Sequence, residues 1–173
     1  MPVIIAIIGA LGIAYFWYMR AKNAREAAET LADAANDVRL AARRFGFRRK
    51  ANLHPADAVD DPRLAAMGIV AAVAQMDRAW EREIAETMTI QAQSVFGVDL
   101  AEAEELTVFG RWLSDQSGTP DELVRRLAKR IAALSGPAAL PDLERMIAAV
   151  TRQGREPSER VQDALDTLRR ILR

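Results

Sequence analysis

Residues 2–19, PVIIAIIGALGIAYFWYM, carry no charge and close on the aromatic run Tyr15-Phe16-Trp17-Tyr18, with Arg20, Lys22 and Arg25 following at once. An unbroken apolar helix has few places to go, so this run constrains the chain more than any other. Eighteen residues at ~1.5 Å rise give roughly 27 Å, close to the ~30 Å hydrocarbon core of a bilayer. A single membrane-spanning helix over residues 1–19 is expected, with Tyr15, Trp17 and Tyr18 at headgroup level. Arg20 and Lys22 would hold its C-terminal end in the cytoplasm and leave the short N-terminus outside. A cleaved signal peptide is the competing reading, but it wants a basic leader and small residues where this chain has bulky aromatics. A buried core helix is disfavoured because the run is hydrophobic all round. Ala6, Ala10 and Ala14, with Gly9 beside them, form a small-residue stripe on which two spans can pack, so a homo-oligomer is a candidate arrangement.

Of the 173 residues, about 120 remain beyond the anchor and the segment that follows it, enough for one domain with its own core. Cysteine is absent, which excludes disulfides, a thiol nucleophile and Cys-based metal sites. The zero net charge hides an asymmetry. Residues 20–50 hold nine Lys/Arg against four Asp/Glu, a net of +5, and residues 51–173 hold fifteen against twenty, a net of −5. Cations beside an anionic leaflet are favoured by about 1 kcal/mol each. An acidic distal domain argues against a nucleic-acid partner.

Residues 20–50 read as a basic juxtamembrane helix. Ala24, Leu31, Val38 and Phe45 recur every seven residues with alanine pairs between them, so the helix either continues out of the membrane onto the domain or pairs as a short coiled coil. Arg39, Arg43, Arg44, Arg48, Arg49 and Lys50 then fall within twelve residues without a carboxylate, interleaved with Phe45 and Phe47. Lipid headgroups are the expected contact, ahead of an RNA patch built from the same ingredients. Residues 51–60, with His54-Pro55, read as a polar linker.

From residue 61 the chain is punctuated as helices. Asp61-Pro62, Asp99 with Glu102, and Thr119-Pro120-Asp121-Glu122 are N-terminal signals, and Pro141 and Pro157 mark two more starts. Gly97, Gly118, Gly136 and Gly154 stand where helices should stop in a left-handed residue. Apolar spacing of three to four, as in Leu123, Leu127, Ile131 and Leu134, predicts an all-α bundle of about six helices near 62–77, 80–96, 100–117, 120–135, 141–152 and 157–172. Val70-Ala71-Ala72-Val73 recurs as Ile147-Ala148-Ala149-Val150, either a duplicated hairpin or agreement among alanines.

Catalytic patterns are missing from the sequence. There is no glycine-rich phosphate loop and no H-E-x-x-H, and the single His54 has neither cysteine nor a second histidine near it. Glu102, Glu104 and Glu105 suit the first turn of a helix. Asp121–Arg125 and Glu122–Arg126 are spaced as i, i+4 pairs. Trp112 shares a stripe with Leu106, Phe109 and Leu113, which suggests core. Gly110 inside that helix suggests a close crossing. A non-enzymatic module is expected, engaging lipids and a protein partner.

Two stretches carry a resemblance, Ala74-Gln75-Met76-Asp77-Arg78-Ala79-Trp80-Glu81-Arg82-Glu83 and Thr151-Arg152-Gln153-Gly154-Arg155-Glu156-Pro157-Ser158-Glu159. Each resembles the A-D-G-x-x-x-x-x-E break of TerB-like (tellurite-resistance) helical domains, also found at the N-terminus of membrane-anchored DjlA-type co-chaperones. Asp77 and Glu83 match the acidic pair of the first motif, with Arg78 where glycine is expected. Gly154 and Glu159 match the second, with Gln153 in place of aspartate. The resemblance covers residues 61–173 and implies a two-half all-helical domain. It also implies a divalent cation held by Asp77, Glu83 and Glu159, for which calcium or magnesium suits the oxygen donors. FWYMRAKNA and RRFGFRRKANLHP are similar to TerB-like membrane proteins of alphaproteobacteria, which implies a bacterial inner membrane.

Overall fold

The computed structural model describes residues 35–48, 52–116, 118–151 and 156–173. The chain divides into two units, Met1–Asp37 and Val38–Arg173, and the fold below is that of the second. The expected span over 1–19 and the greater part of the juxtamembrane helix lie outside the described residues. No helix among the described residues is long and apolar enough to cross a membrane.

The described residues are all-α, without a strand among them. Within the second unit α1 covers residues 38–44, and a 3-10 turn, Pro55–Ala58, precedes α2 (Pro62–Asp77). Then follow α3 (Arg82–Phe96), α4 (Leu100–Asp115) and α5 (Pro120–Leu134). A second 3-10 turn, Gly136–Ala139, leads into α6 (Leu140–Thr151), and α7 (Glu159–Ile171) ends the bundle. The expected starts at 80 and 157 move inward: Trp80 precedes α3, and Pro157 and Ser158 precede α7.

Capping explains the boundaries. Asp61 Oδ1 accepts from the Arg63 amide at 2.8 Å, Asp99 Oδ1 from the Glu102 amide at 2.8 Å and Thr119 Oγ1 from the Glu122 amide at 3.3 Å. Each bond satisfies a donor that the first turn leaves without a partner. The glutamates turn elsewhere: Glu102 accepts from Arg63 at 2.8 Å and Glu122 from Arg126 at 2.6 Å. Gly97 and Gly136 take φ of +66° and +68°, as expected of helix stops. Gly118 does not adopt positive φ, and Gly154 lies outside the described residues.

Helix α2 is the axis. Every residue from Leu64 to Ala74 is buried, and α3, α4, α5, α6 and α7 all pack against it. Such a helix has no solvent face, so its surroundings must close on all sides. Alanines and one glycine make the close approach feasible. A Cβ at Gly110 of α4 would stand 2.7 Å from the Met67 carbonyl oxygen and 2.9 Å from Met67 Cβ, so the backbones cross where only glycine fits. The close crossing expected at Gly110 is therefore present, and Leu106, Phe109 and Leu113 are core as expected. Thr89 of α3 bonds the Ala85 carbonyl (3.0 Å) and meets Thr107 of α4 at 3.1 Å, so Thr107 supplies the proton between the two hydroxyls.

The two echoing stretches have different surroundings. Val70 to Val73 are buried throughout, whereas Ala148 and Ala149 are only partly covered on the amphipathic α6. Segment 52–60, expected as a polar linker, belongs to the packed unit. Ala56 and Val59 are fully buried, and His54 Nδ1 accepts from the Ala56 amide at 3.2 Å to start the 3-10 turn. His54, before Pro55, is non-helical as expected (ψ 138°), but the segment's apolar residues have a bundle to cover.

Gly110→Ala is expected to cost about 1–3 kcal/mol, because the added methyl meets rigid backbone. Gly68→Ala should cost less: its Cβ meets only Leu127 Cδ1 and Leu113 Cδ2, side-chain ends that can rotate, and alanine regains ~1 kcal/mol of helix propensity. Denaturant midpoints of the two variants at constant slope check the order.

Candidate functional site

The basic segment is clasped to the bundle by its own aromatics. Helix α1 is stopped by Gly46, two residues past its end, whose φ of +66° lets the Gly46 amide bond the Arg43 carbonyl (3.2 Å) and the Phe47 amide the Ala42 carbonyl (2.8 Å). This paired bonding is the Schellman stop, and it turns Phe47 back onto α4. The Phe47 ring stands edge-on to Phe109 at 5.0 Å and to Trp112 at 5.7 Å. Phe45 lies beneath the Arg63 guanidinium at 5.4 Å, and Arg63 is itself held by Asp61 (2.7 Å) and Glu102 (2.8 Å). Phe45 and Phe47 therefore face the core, which corrects their expected part in a lipid-contacting stretch. Their attraction to apolar and cationic partners on α2 and α4 is satisfied inside the protein.

The cations around them divide. Arg44 pairs with Glu105 of α4 at 3.0 Å, a contact that raises the Arg44 pKa. Arg39, Arg43 and Arg48 are exposed, and Leu40 stands among them with about half its surface free (49 %). Tyr15, Trp17, Tyr18, Arg20, Lys22, Arg49 and Lys50, the other expected membrane contacts, lie outside the described residues.

The three acids of the resemblance are described and exposed. Asp77 ends α2, Glu83 stands in the first turn of α3 beside Arg78 (3.5 Å), and Glu159 opens α7. Among the described residues no three acidic or histidine side chains converge to hold a metal ion, so these three do not form one such group.

A charged cleft lies where segment 52–60 meets α5, a space of about 480 Å³ lined by Asp57, Glu122, Arg125, Arg126, Lys129 and Arg130. Arg126 bridges the two walls, donating to Asp57 at 2.7 Å and to Glu122 at 2.6 Å. Arg130 donates to the Val59 carbonyl at 2.8 Å and to Asp60 at 2.6 Å. The expected Glu122–Arg126 pair is thus formed. Asp121, expected opposite Arg125, instead meets Arg160 of α7 at 3.3 Å. The sequence signal for the cleft is residues 123–134, which carry four cations and no carboxylate. Its acidic wall, Asp57, comes from a segment 69 positions earlier.

A second, apolar groove of about 300 Å³ opens between α2, α3, α5 and α6, with Ala66, Phe96, Ala139, Leu143 and Met146 on its walls. Its floor belongs to the core, and its mouth reaches solvent at the partly covered Phe96 and Ala139.

Phe47→Ala is expected to lower stability by about 1–3 kcal/mol, the loss of a half-buried aromatic and two ring contacts. Protease cleavage after Arg48 should quicken in that variant at native conditions. In the cleft, hydrogen bonding from Arg126 followed by its charge lowers the Glu122 pKa. The pair therefore contributes at neutral pH and is lost as pH falls through the depressed value, below the ordinary carboxylate range. Arg126→Gln should return the Glu122 titration, followed by carboxyl NMR, towards that ordinary range. No family model, curated protein or solved structure matches the chain.

Proposed function

We propose that the chain is a membrane-anchored, non-enzymatic interaction module at the cytoplasmic face of a bacterial inner membrane, built on a TerB-like helical bundle. The observation that carries this reading is the clasp at Phe45 and Phe47. It fixes the start of the bundle and leaves Arg39, Leu40, Arg43 and Arg48 on the outside. An exposed apolar side chain close in sequence to exposed arginines suits a headgroup layer, where long cationic side chains reach phosphates while the apolar one dips inward. The uncharged run 2–19 supplies the anchor and the +5 segment beneath it the orientation.

The bundle is the part offered to a protein partner. Its net charge of −5 over residues 51–173 favours a basic partner, and the groove beside Phe96 suits apolar side chains from one face of a partner helix. The anchor would keep the bundle near its partner and raise the effective concentration of both.

The chain has no cysteine, so single labels report cleanly. A spin label at Leu40→Cys, in full-length protein reconstituted in anionic vesicles, should collide with lipid-dissolved oxygen far more than a label at Glu81→Cys. A reporter fused after Arg173 should be active in the cytoplasm. Equal collision rates at the two labels, or reporter activity in the periplasm, would refute the arrangement.

A further inference from the structure

Helix α5 breaks a local rule. Arg125 and Lys129, and Arg126 and Arg130, are like charges four residues apart on one helix, a spacing at which they repel. None of the four stands in the last turn, where the helix C-terminus would favour cations. Asp57 and Glu122 offset Arg126, and Asp60 offsets Arg130. Among the described residues Arg125 and Lys129 make no ion pair and donate no hydrogen bond, and both are exposed on the wall of the cleft. The structure thus holds two cations without a direct ion pair beside two that are fixed in place, in a domain whose net charge over residues 51–173 is −5. Departures of this kind are expected where a site is built at the expense of local preference.

We infer that the α5 cleft binds a phosphate group, with Arg125 and Lys129 as its principal contacts and Arg126 and Arg130 as positioned donors. The geometry supplies what a phosphate needs. A guanidinium carries five N–H donors. Arg126 uses three on Asp57 and Glu122 and Arg130 uses two on Val59 and Asp60, so both keep donors for an anion. The same bonds hold the two guanidinium groups still, which reduces the ordering a ligand must impose. Asp57, Glu122 and Asp60 reduce the charge of the four cations to a net +1, and a phosphate, with three strong acceptor oxygens, takes more of their donors than a chloride or a single carboxylate does. The cleft, at about 480 Å³, is open and large enough for a phosphate carried on a larger molecule. The group can belong to a soluble phosphate monoester or to a lipid headgroup.

Full-length protein in nanodiscs of neutral phosphatidylcholine, dialysed against radiolabelled inorganic phosphate, tests the site. Saturable binding is expected, weakened about tenfold or more by Arg125→Gln with Lys129→Gln, the loss of two charge-assisted contacts. Arg82→Gln with Arg170→Gln removes the same charge elsewhere and should leave binding unchanged. The Arg125/Lys129 variant should melt no lower than the parent, since it relieves repulsion. Nanodiscs containing phosphatidic acid separate the sources. Suppressed phosphate binding there identifies a headgroup ligand, and unchanged binding identifies a soluble one. Absence of saturable binding, equal loss in the control pair, or loss that tracks a lowered melting temperature overturns the inference.

Discussion

A helix buried on every side is the demand that organises this protein. From Leu64 to Ala74 the chain offers no polar face, so α2 is stable only when other helices surround it, and it must present surfaces small enough for them to approach. The alanines and Gly68 meet that second requirement from one side and Gly110 of α4 from the other, where a backbone carbonyl takes the place of a side chain. The amphipathic character of α5, α6 and α7 follows as a complement. Each buries one stripe against the axis and turns its charges outward.

Around this core the charged residues serve as belts between segments more than as surface decoration. Arg63 joins the N-cap of α2 to the first turn of α4 and covers Phe45. Arg126 and Arg130 join α5 to the segment before α2. Exposed ion pairs are worth little singly. These also set guanidinium positions on the surface, and that makes the neighbouring unpaired cations of α5 a defined arrangement.

How much was legible in the sequence follows the range of the interactions. Caps at Asp61, Asp99 and Thr119 are local, so the helix starts they mark are found at the expected residues. The missed 3-10 turn at Gly136–Ala139 and the late start of α3 at Arg82 depend on packing that no short window carries. Phe45 and Phe47 group with the cations beside them in sequence because their partners lie outside a short window: Arg63 for Phe45, and Phe109 and Trp112, some sixty positions away, for Phe47. Gly46 between two phenylalanines was the available signal, since a left-handed stop re-aims the residue after it. The acidic wall of the α5 cleft was invisible for the same reason, although the carboxylate-free run on α5 was readable. Asp77, Glu83 and Glu159 show the converse: the motif resemblance implies a shared ligand, and among the described residues no group of three such side chains converges on a metal ion.

The docking of segment 52–60 onto α5 has a kinetic consequence. Its bonds from Arg126 and Arg130 close intervals of 69 to 71 residues, among the longer loops in so short a chain, and such contacts form only after the intervening helices have assembled. During synthesis this stretch emerges before the helix that will hold it. A nascent chain must therefore keep Ala56 and Val59 without their apolar cover until α5 has left the ribosome. The order of emergence makes α5 the latch for segment 52–60.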